Sequence, residues 1–228
     1  MELKTGDRNS GKSGCPQYDR DGQRSFWGLS VPSLKYHLHS KLPLIIKNKI
    51  RQSNLGIRQL LSSEVRHEKS RIIAEKLESL PVFKLAQDVL FYYGVRGEVK
   101  TLPLIQKYLE LKSLYLPVIV NETTFHATRL RSPLKLIPNT MGIPEPEKGD
   151  MLNETPLDLI IVPGIAFDAK GHRIGMGKGY YDRFLAQYPH ALKIGLAFTE
   201  QMVENLPQDP YDVSVDMIIT DSCIYECG

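Results

Sequence analysis

Gly175-Met176-Gly177-Lys178-Gly179 is the stretch of this chain whose residue types and spacing most directly suggest chemistry. Glycines at alternate positions let backbone N–H groups approach an anion closely, and a helical pattern starts just beyond them, where free N–H groups favour negative charge. Lys178 adds a compact cation, and Asp182 is near enough to ligate magnesium arriving with a triphosphate. The pattern therefore suits phosphate, while a tight turn between strand and helix would use the same glycines. It is not a Walker loop, because Gly179 follows Lys178, and Tyr180 stands where a dinucleotide fingerprint needs its last glycine.

A second group of cations lies far upstream. Lys47, Arg51 and Arg58 fall within about 40° of one another on a helix at roughly 100° per residue. They flank an apolar stripe of Ile46, Ile50, Ile57 and Leu61. Planar guanidinium forks and an ammonium suit phosphate, and a solvated helix face explains the same spacing. Glu98 follows a predicted buried strand, where open α/β sheets hold ligands, although an ordinary loop carboxylate also fits. Asp212 and Asp216 could complete a metal site, or Asp212 could cap a turn. The six histidines show no ligand spacing, and no Ser-His-Asp arrangement can be argued, so nothing supports zinc or nucleophilic chemistry.

The elements that must position these residues are legible as alternating patterns. A helix is predicted from Ile46, and another from Ser63 with Glu64 in its first turn, stopped by Pro81. Residues 88–93 read as a buried strand, 102–111 as a helix and 113–120 as a strand, making a βαβ unit. Residues 123–130 alternate and are expected antiparallel at an edge, before a proline-rich connection. Strands follow at 157–162, 193–198 and 215–220, with a hairpin at 165–173 and a helix at 180–188. Alternating strands and helices predict an α/β sheet covered on both faces.

Residues 1–46 lack sustained periodicity and read as a flexible N-terminal extension, with a single domain over 47–228. The extension carries Glu2, Asp7, Asp19 and Asp21 among its basic residues, unlike an acid-poor transit peptide, so the expected location is cytoplasmic with mitochondrial import as the alternative. No apolar run approaches the roughly 20 residues that span a bilayer. A net charge of +3 without interleaved aromatic and basic residues argues against nucleic acid. Cys15, Cys223 and Cys227 read as free thiols in a reducing compartment.

The ordered set of motifs resembles the 5-formyltetrahydrofolate cyclo-ligase family, also called methenyltetrahydrofolate synthetases. The blocks are Lys47-x-x-x-Arg51 with Arg58, Gly97-Glu98-Val99-Lys100-Thr101, Gly142-Ile143-Pro144-Glu145-Pro146, Val162-Pro163-Gly164-x-x-Phe167-Asp168, the run from Arg173 to Arg183, and Asp212-x-x-x-Asp216. The resemblance covers about residues 47–222 and implies a three-layer α/β/α sandwich with a mostly parallel, Rossmann-like open sheet. It implies ATP-dependent conversion of 5-formyltetrahydrofolate to 5,10-methenyltetrahydrofolate with release of ADP and phosphate, with Mg2+ as cofactor and ATP as co-substrate. No membrane, nucleic acid or obligatory protein partner is expected.

Carried over residue by residue, the resemblance puts Lys47, Arg51, Arg58, Arg173, Gly175, Met176, Gly177, Lys178, Gly179, Tyr180, Tyr181 and Asp182 at ATP. Tyr93, Glu98 and residues 176–180 fall at the folate, and Asp182 and Asp212 at the metal. Lys178, Arg173 and Tyr180 are the catalytic candidates. In the implied route the formyl oxygen attacks the γ-phosphate, N10 closes the ring and phosphate departs, which demands positioning and charge neutralisation rather than a protein nucleophile. Lys100 stands where the family usually has an acid, so the charge around the folate is expected to differ, and Tyr211 replaces a commonly polar neighbour of Asp212. Another ATP-coupled phosphoryl-transfer enzyme, or a non-catalytic folate or nucleotide binder, stays open at this stage.

Overall fold

The computed structural model describes residues 42–147, 151 and 156–227. Most of the segment read as a flexible extension therefore lies outside the described residues. Helix α1 (Leu42–Leu60) starts four residues before the predicted Ile46. Its inward face is also not the predicted one: Lys47, Asn54 and Arg58 are 7%, 4% and 2% exposed, against 39% for Ile46 and 37% for Ile57. The apolar stripe turns partly outward because the adjoining face covers a polar cleft, and Ile50 alone of its α1 members packs into a small core with Ala166, Ile174 and Leu206.

Helix α2 (Ser63–Ser79) begins where expected, with the Ser62 hydroxyl accepting the Val65 N–H at 3.2 Å. Pro81 ends it but also starts a short α3 (Pro81–Leu85), since proline at the first helical position gives up an N–H that has no intrahelical partner. Strand β1 (Asp88–Leu90) is three residues shorter than read, although Phe91 N–H still donates to the Tyr115 carbonyl at 2.9 Å. Then come α4 (Leu102–Tyr108), β2 (Ser113–Ile119) and β3 (Phe125–Arg129), the last antiparallel to β2 at the edge as predicted.

The proline-rich connection forms an unanticipated small hairpin, β4 (Leu136–Pro138) with β5 (Pro144–Pro146). Strand β6 (Leu159–Val162) and the predicted hairpin of β7 (Ala166–Phe167) and β8 (Arg173–Ile174) lead to α5 (Tyr180–Leu185). Helix α5 is shorter than predicted because its exit tightens to three-residue bonds, Gln187 N to Phe184 O and Tyr188 N to Leu185 O, both 3.0 Å. Strands β9 (Leu192–Leu196) and β10 (Met217–Ile219) follow, and an unpredicted β11 (Ile224–Glu226) pairs antiparallel with β10. Cys227 is a free thiol, whereas Cys223 is disulfide-bonded, against the free-thiol reading.

The main sheet runs β11-β10-β9-β6-β1-β2-β3, with β10, β9, β6, β1 and β2 all parallel. Alternation along β6 divides the core: Leu159 and Ile161 join Ile73, Leu77, Phe83 and Ile105 from α2, α3 and α4, while Ile160 and Val162 join Phe184 and Leu185 from α5. Helices thus cover both faces, giving the expected α/β/α layering. Strand order reverses direction of growth between β1 and β6. The crevice beyond the carboxyl ends of two such strands is where open α/β sheets bind ligands.

Candidate active site

That crevice holds a cavity of about 460 Å³, bounded by Tyr92 and Tyr93 after β1, Pro163 and Gly164 after β6, α1 on one side and the glycine loop on another. Every residue carried over in the sequence reading, from Lys47 to Asp212, lines it. The glycine loop leaves β8 at Gly175 and enters α5 at Gly179. Gly177 and Gly179 have φ values of 96° and 65°, which side chains with a Cβ rarely adopt. A Cβ on Gly177 would sit 3.3 Å from Arg51 Nη2, and one on Gly179 2.8 Å from Arg183 Nη1.

Two arginines brace this loop from below and behind. Arg51 Nε donates to the Gly175 carbonyl at 2.8 Å, and Arg183 donates to the carbonyls of Lys178 at 2.5 Å and Thr123 at 2.7 Å. Arg183 was not singled out for a role in the sequence, since only its contacts reveal it. Lys178 is exposed, its ammonium 5.9 Å from the Tyr180 ring centroid, and the Tyr180 hydroxyl donates to the Asn121 carbonyl at 2.9 Å. The Tyr181 hydroxyl is buried without a hydrogen-bond partner, and burial holds its pKa far above the ordinary phenol value.

Two cations of the cleft, Lys47 and Arg173, are paired with its aspartates. Lys47 Nζ donates to Asp209 at 2.6 Å and to Asp212, and Asp212 also accepts the Asp209 N–H at 2.8 Å. Burial works to lower the Lys47 pKa, but the hydrogen bonds and charges of the two aspartates more than offset it and raise it overall. Arg173 Nη2 donates to Asp182 at 2.7 Å while its Nε, buried, has no partner. Burial lowers the Arg173 pKa, opposed by Asp182. Leaving such a donor unmade costs about 1–3 kcal/mol, which an incoming oxygen would recover. Asp209 was missed in the sequence; its three-residue spacing from Asp212 was the available signal.

Asp182 and Asp212 each keep one carboxylate oxygen without a hydrogen bond among the described residues. Among those residues no three His, Cys, Asp or Glu side chains gather into a metal cage. The donor set fits magnesium delivered by phosphates, which commonly takes only one or two protein carboxylates. Asp216 is not part of the cleft: it accepts the Lys193 N–H at 2.7 Å.

At the other end of the cleft, Glu98 is half-buried, its side chain 17% exposed, and desolvation raises its pKa against the opposing Val95 N–H and the charges of Arg58 and Arg96. Its Oε2 accepts the Val95 N–H at 3.1 Å. Arg58, grouped by spacing with Lys47 and Arg51, instead contacts this end, donating to the Arg96 carbonyl at 3.2 Å. Tyr92 donates to the Val99 carbonyl at 3.3 Å, and Tyr93 lines the wall beside it. Lys100, expected to change the charge near a folate, points away to His67 at 3.5 Å and does not line the cleft.

The model of the 5-formyltetrahydrofolate cyclo-ligase family matches residues 45–221. A relative named 5-formyltetrahydrofolate cyclo-ligase from Haemophilus influenzae is 34% identical over 176 residues, 73% of this chain and 93% of its own. One of the same name from Escherichia coli K12 is 32% identical, covering 74% of this chain and 97% of its own. The solved 5,10-methenyltetrahydrofolate synthetase of Aquifex aeolicus superposes with a TM-score of 0.72 at 38% identity, over 79% of this chain and 92% of its own. By fold, by the ordered residues of its cleft and by this match over most of its length, the chain belongs to the 5-formyltetrahydrofolate cyclo-ligase family.

Proposed function

We propose that this protein converts 5-formyltetrahydrofolate to 5,10-methenyltetrahydrofolate, using ATP and releasing ADP and phosphate. The observation that supports this most is the joining, in one cleft at the sheet's switch point, of two unlike ends. One end carries Lys47, Arg51, Arg173 and the glycine loop, suited to phosphates; the other carries Glu98, Tyr92 and Tyr93, suited to a flat heterocycle with hydrogen-bond donors.

A formamide carbonyl is a poor electrophile and its oxygen a poor leaving group. In the proposed route the formyl oxygen attacks the γ-phosphorus as the bond to ADP breaks, giving an iminium phosphate. N10 adds to the iminium carbon and loses its proton, and phosphate then leaves with the carbon–oxygen electron pair. Lys47, Arg51 and Arg173 neutralise the triphosphate, and backbone N–H groups of residues 175–179 face the transferred group. Lys178, exposed beside the cleft, would reach the transferred phosphoryl group, and Tyr180 would line the wall next to it. Asp182 and Asp212 would hold magnesium, which supplies further neutralisation of phosphate charge.

The ion pairs Lys47–Asp212 and Arg173–Asp182 suit this role. Each cation is kept solvated by a carboxylate until phosphate replaces it. Among the described residues no helix is long and apolar enough to cross a membrane. A cytoplasmic location, a single domain over 47–228 and small-molecule substrates without an obligatory protein partner complete the proposal.

The test is a near-ultraviolet absorbance assay on purified, folded protein with ATP, magnesium and 5-formyltetrahydrofolate. An ATP-dependent gain is expected. Calorimetric binding of folate or nucleotide without turnover would instead identify a non-catalytic binder.

A further inference from the structure

Arg58 stands seven residues beyond Arg51, about 10 Å further along α1 at 1.5 Å per residue. Its partners are those of the turn at 95–98. Nη2 donates to the Arg96 carbonyl at 3.2 Å, and Nη1 lies 3.9 Å from Glu98 Oε1. Nε and Nη1 are buried with no hydrogen-bond partner, so the bond to the Arg96 carbonyl is what ties the guanidinium to its surroundings among the described residues.

The turn itself is built to meet this cation. Arg96 and Gly97 have consecutive positive φ values of 51° and 82°, closed by a bond from Glu98 N to Val95 O at 3.0 Å. A non-glycine residue persists in that conformation only where its surroundings over-determine it. Gly97 carries no Cβ, and one there would lie 3.8 Å from Arg58 Cγ and 3.7 Å from Arg66 Cδ.

We infer that Arg58 is a positioning residue for Glu98: it fastens the turn that carries this carboxyl and supplies the counter-charge that keeps it a carboxylate facing the substrate. The inference rests on the proposed reading of this end of the cleft as the folate site. A carboxylate accepts hydrogen bonds only, whereas its protonated form has lost an acceptor and gained a donor. The amino and ring N–H groups of a pterin are donors, so the ionised form is the one that binds.

Burial pushes Glu98 towards the neutral form. The groups facing it are Arg58 from α1, Arg96 in its own turn, and the phenols of Tyr92 after β1 and Tyr181 on α5, while Arg66 of α2 packs against the turn through Gly97. Of these, Arg58 and Arg96 oppose burial, and Arg58 is itself 2% exposed and thus little screened by water. An opposite charge at such a distance lowers a carboxyl pKa by about 1–3 units.

Glutamate side-chain 13C NMR on the ligand-free full chain reads Glu98 directly, with Glu98→Gln identifying its signal. Arg58→Met should raise the Glu98 midpoint by at least about one pH unit, and Arg58→Lys should restore most of that shift. In turnover near neutral pH, Arg58→Met should raise KM for 5-formyltetrahydrofolate about tenfold while KM for ATP moves less than about twofold. Identical Glu98 titration in wild type and Arg58→Met, or a rise in KM for ATP alone, would overturn the inference and return Arg58 to the phosphate grip. Should Arg58→Met not fold, Arg58→Gln carries the same comparison. An inactive wild type would sink the proposed activity, leaving the NMR titration to decide the Arg58–Glu98 link on its own.

Discussion

Arg51 serves the glycine loop through two features at once, a charge beneath Gly177 and a hydrogen bond to the Gly175 carbonyl. Arg51→Ala should therefore lower kcat/KM by about 10²–10³-fold, the range seen when one preorganised donor to a transition state is lost. Steady-state kinetics on a variant of unchanged thermal midpoint checks it, and undiminished turnover would remove the phosphate role. Gly177→Ala forces a Cβ onto a residue at φ 96°, with Arg51 in its way. A loss of about 1–3 kcal/mol in denaturant unfolding is expected, together with a raised KM for ATP. Lys47 supplies a pH signature. Its pKa is raised on folding, so its contribution is fully present below the unfolded value near 10.5 and is lost as pH rises through the higher folded value. The stability gap between wild type and Lys47→Met should hold steady at neutral pH and shrink above about pH 10.5. A gap that widens with rising pH would contradict the pairing with Asp209 and Asp212.

At the scale of elements, α1 is the one whose sequence pattern misleads. Its hydrophobic period points to Ile46, Ile50, Ile57 and Leu61; Ile50 and Leu61 do pack inward, but Ile46 and Ile57 are exposed and the buried face holds Lys47, Asn54 and Arg58. Periodicity reports which side chains prefer to leave water, and it cannot register a face whose partner is a polar cleft assembled from distant segments. Leu60, 86% exposed, and Leu77, fully buried on α2, separate the two cases. Leu60→Gln should change unfolding free energy by less than about 0.5 kcal/mol, and Leu77→Ala should cost about 2–5 kcal/mol. Denaturant midpoints measure both. The central strands were legible because β1, β2, β6 and β10 are apolar on both faces and β9 on one, and the glycine loop because its φ values demand its residues. Edge strand β11 and the β4–β5 hairpin were not, since Cys223 to Cys227 and four clustered prolines carry no strand pattern. Asp209, Arg183 and the true neighbourhood of Arg58 escaped for a similar reason: each is defined by contacts across more than thirty residues of chain.

For the whole molecule, a doubly wound sheet brings α1, the turn after β1, the loop after β8 and the segment before β10 to one crevice, although they span residues 47 to 212. In the proposed reaction that convergence would let a triphosphate and a formamide lie end to end with no protein nucleophile between them. It also brings Lys47 to Asp212 and Arg173 to Asp182: unpaired, these four buried or half-buried ions would strain a fold whose net stability is only about 5–15 kcal/mol. In the proposed reaction the formyl oxygen itself is phosphorylated in this cleft. Substrate carrying 18O in the formyl group, turned over with ATP and analysed by mass spectrometry of the released phosphate, tests it most directly. One 18O atom is expected in each inorganic phosphate formed with methenyl product; label released into water, with unlabelled phosphate, would contradict phosphorylation of the formyl oxygen.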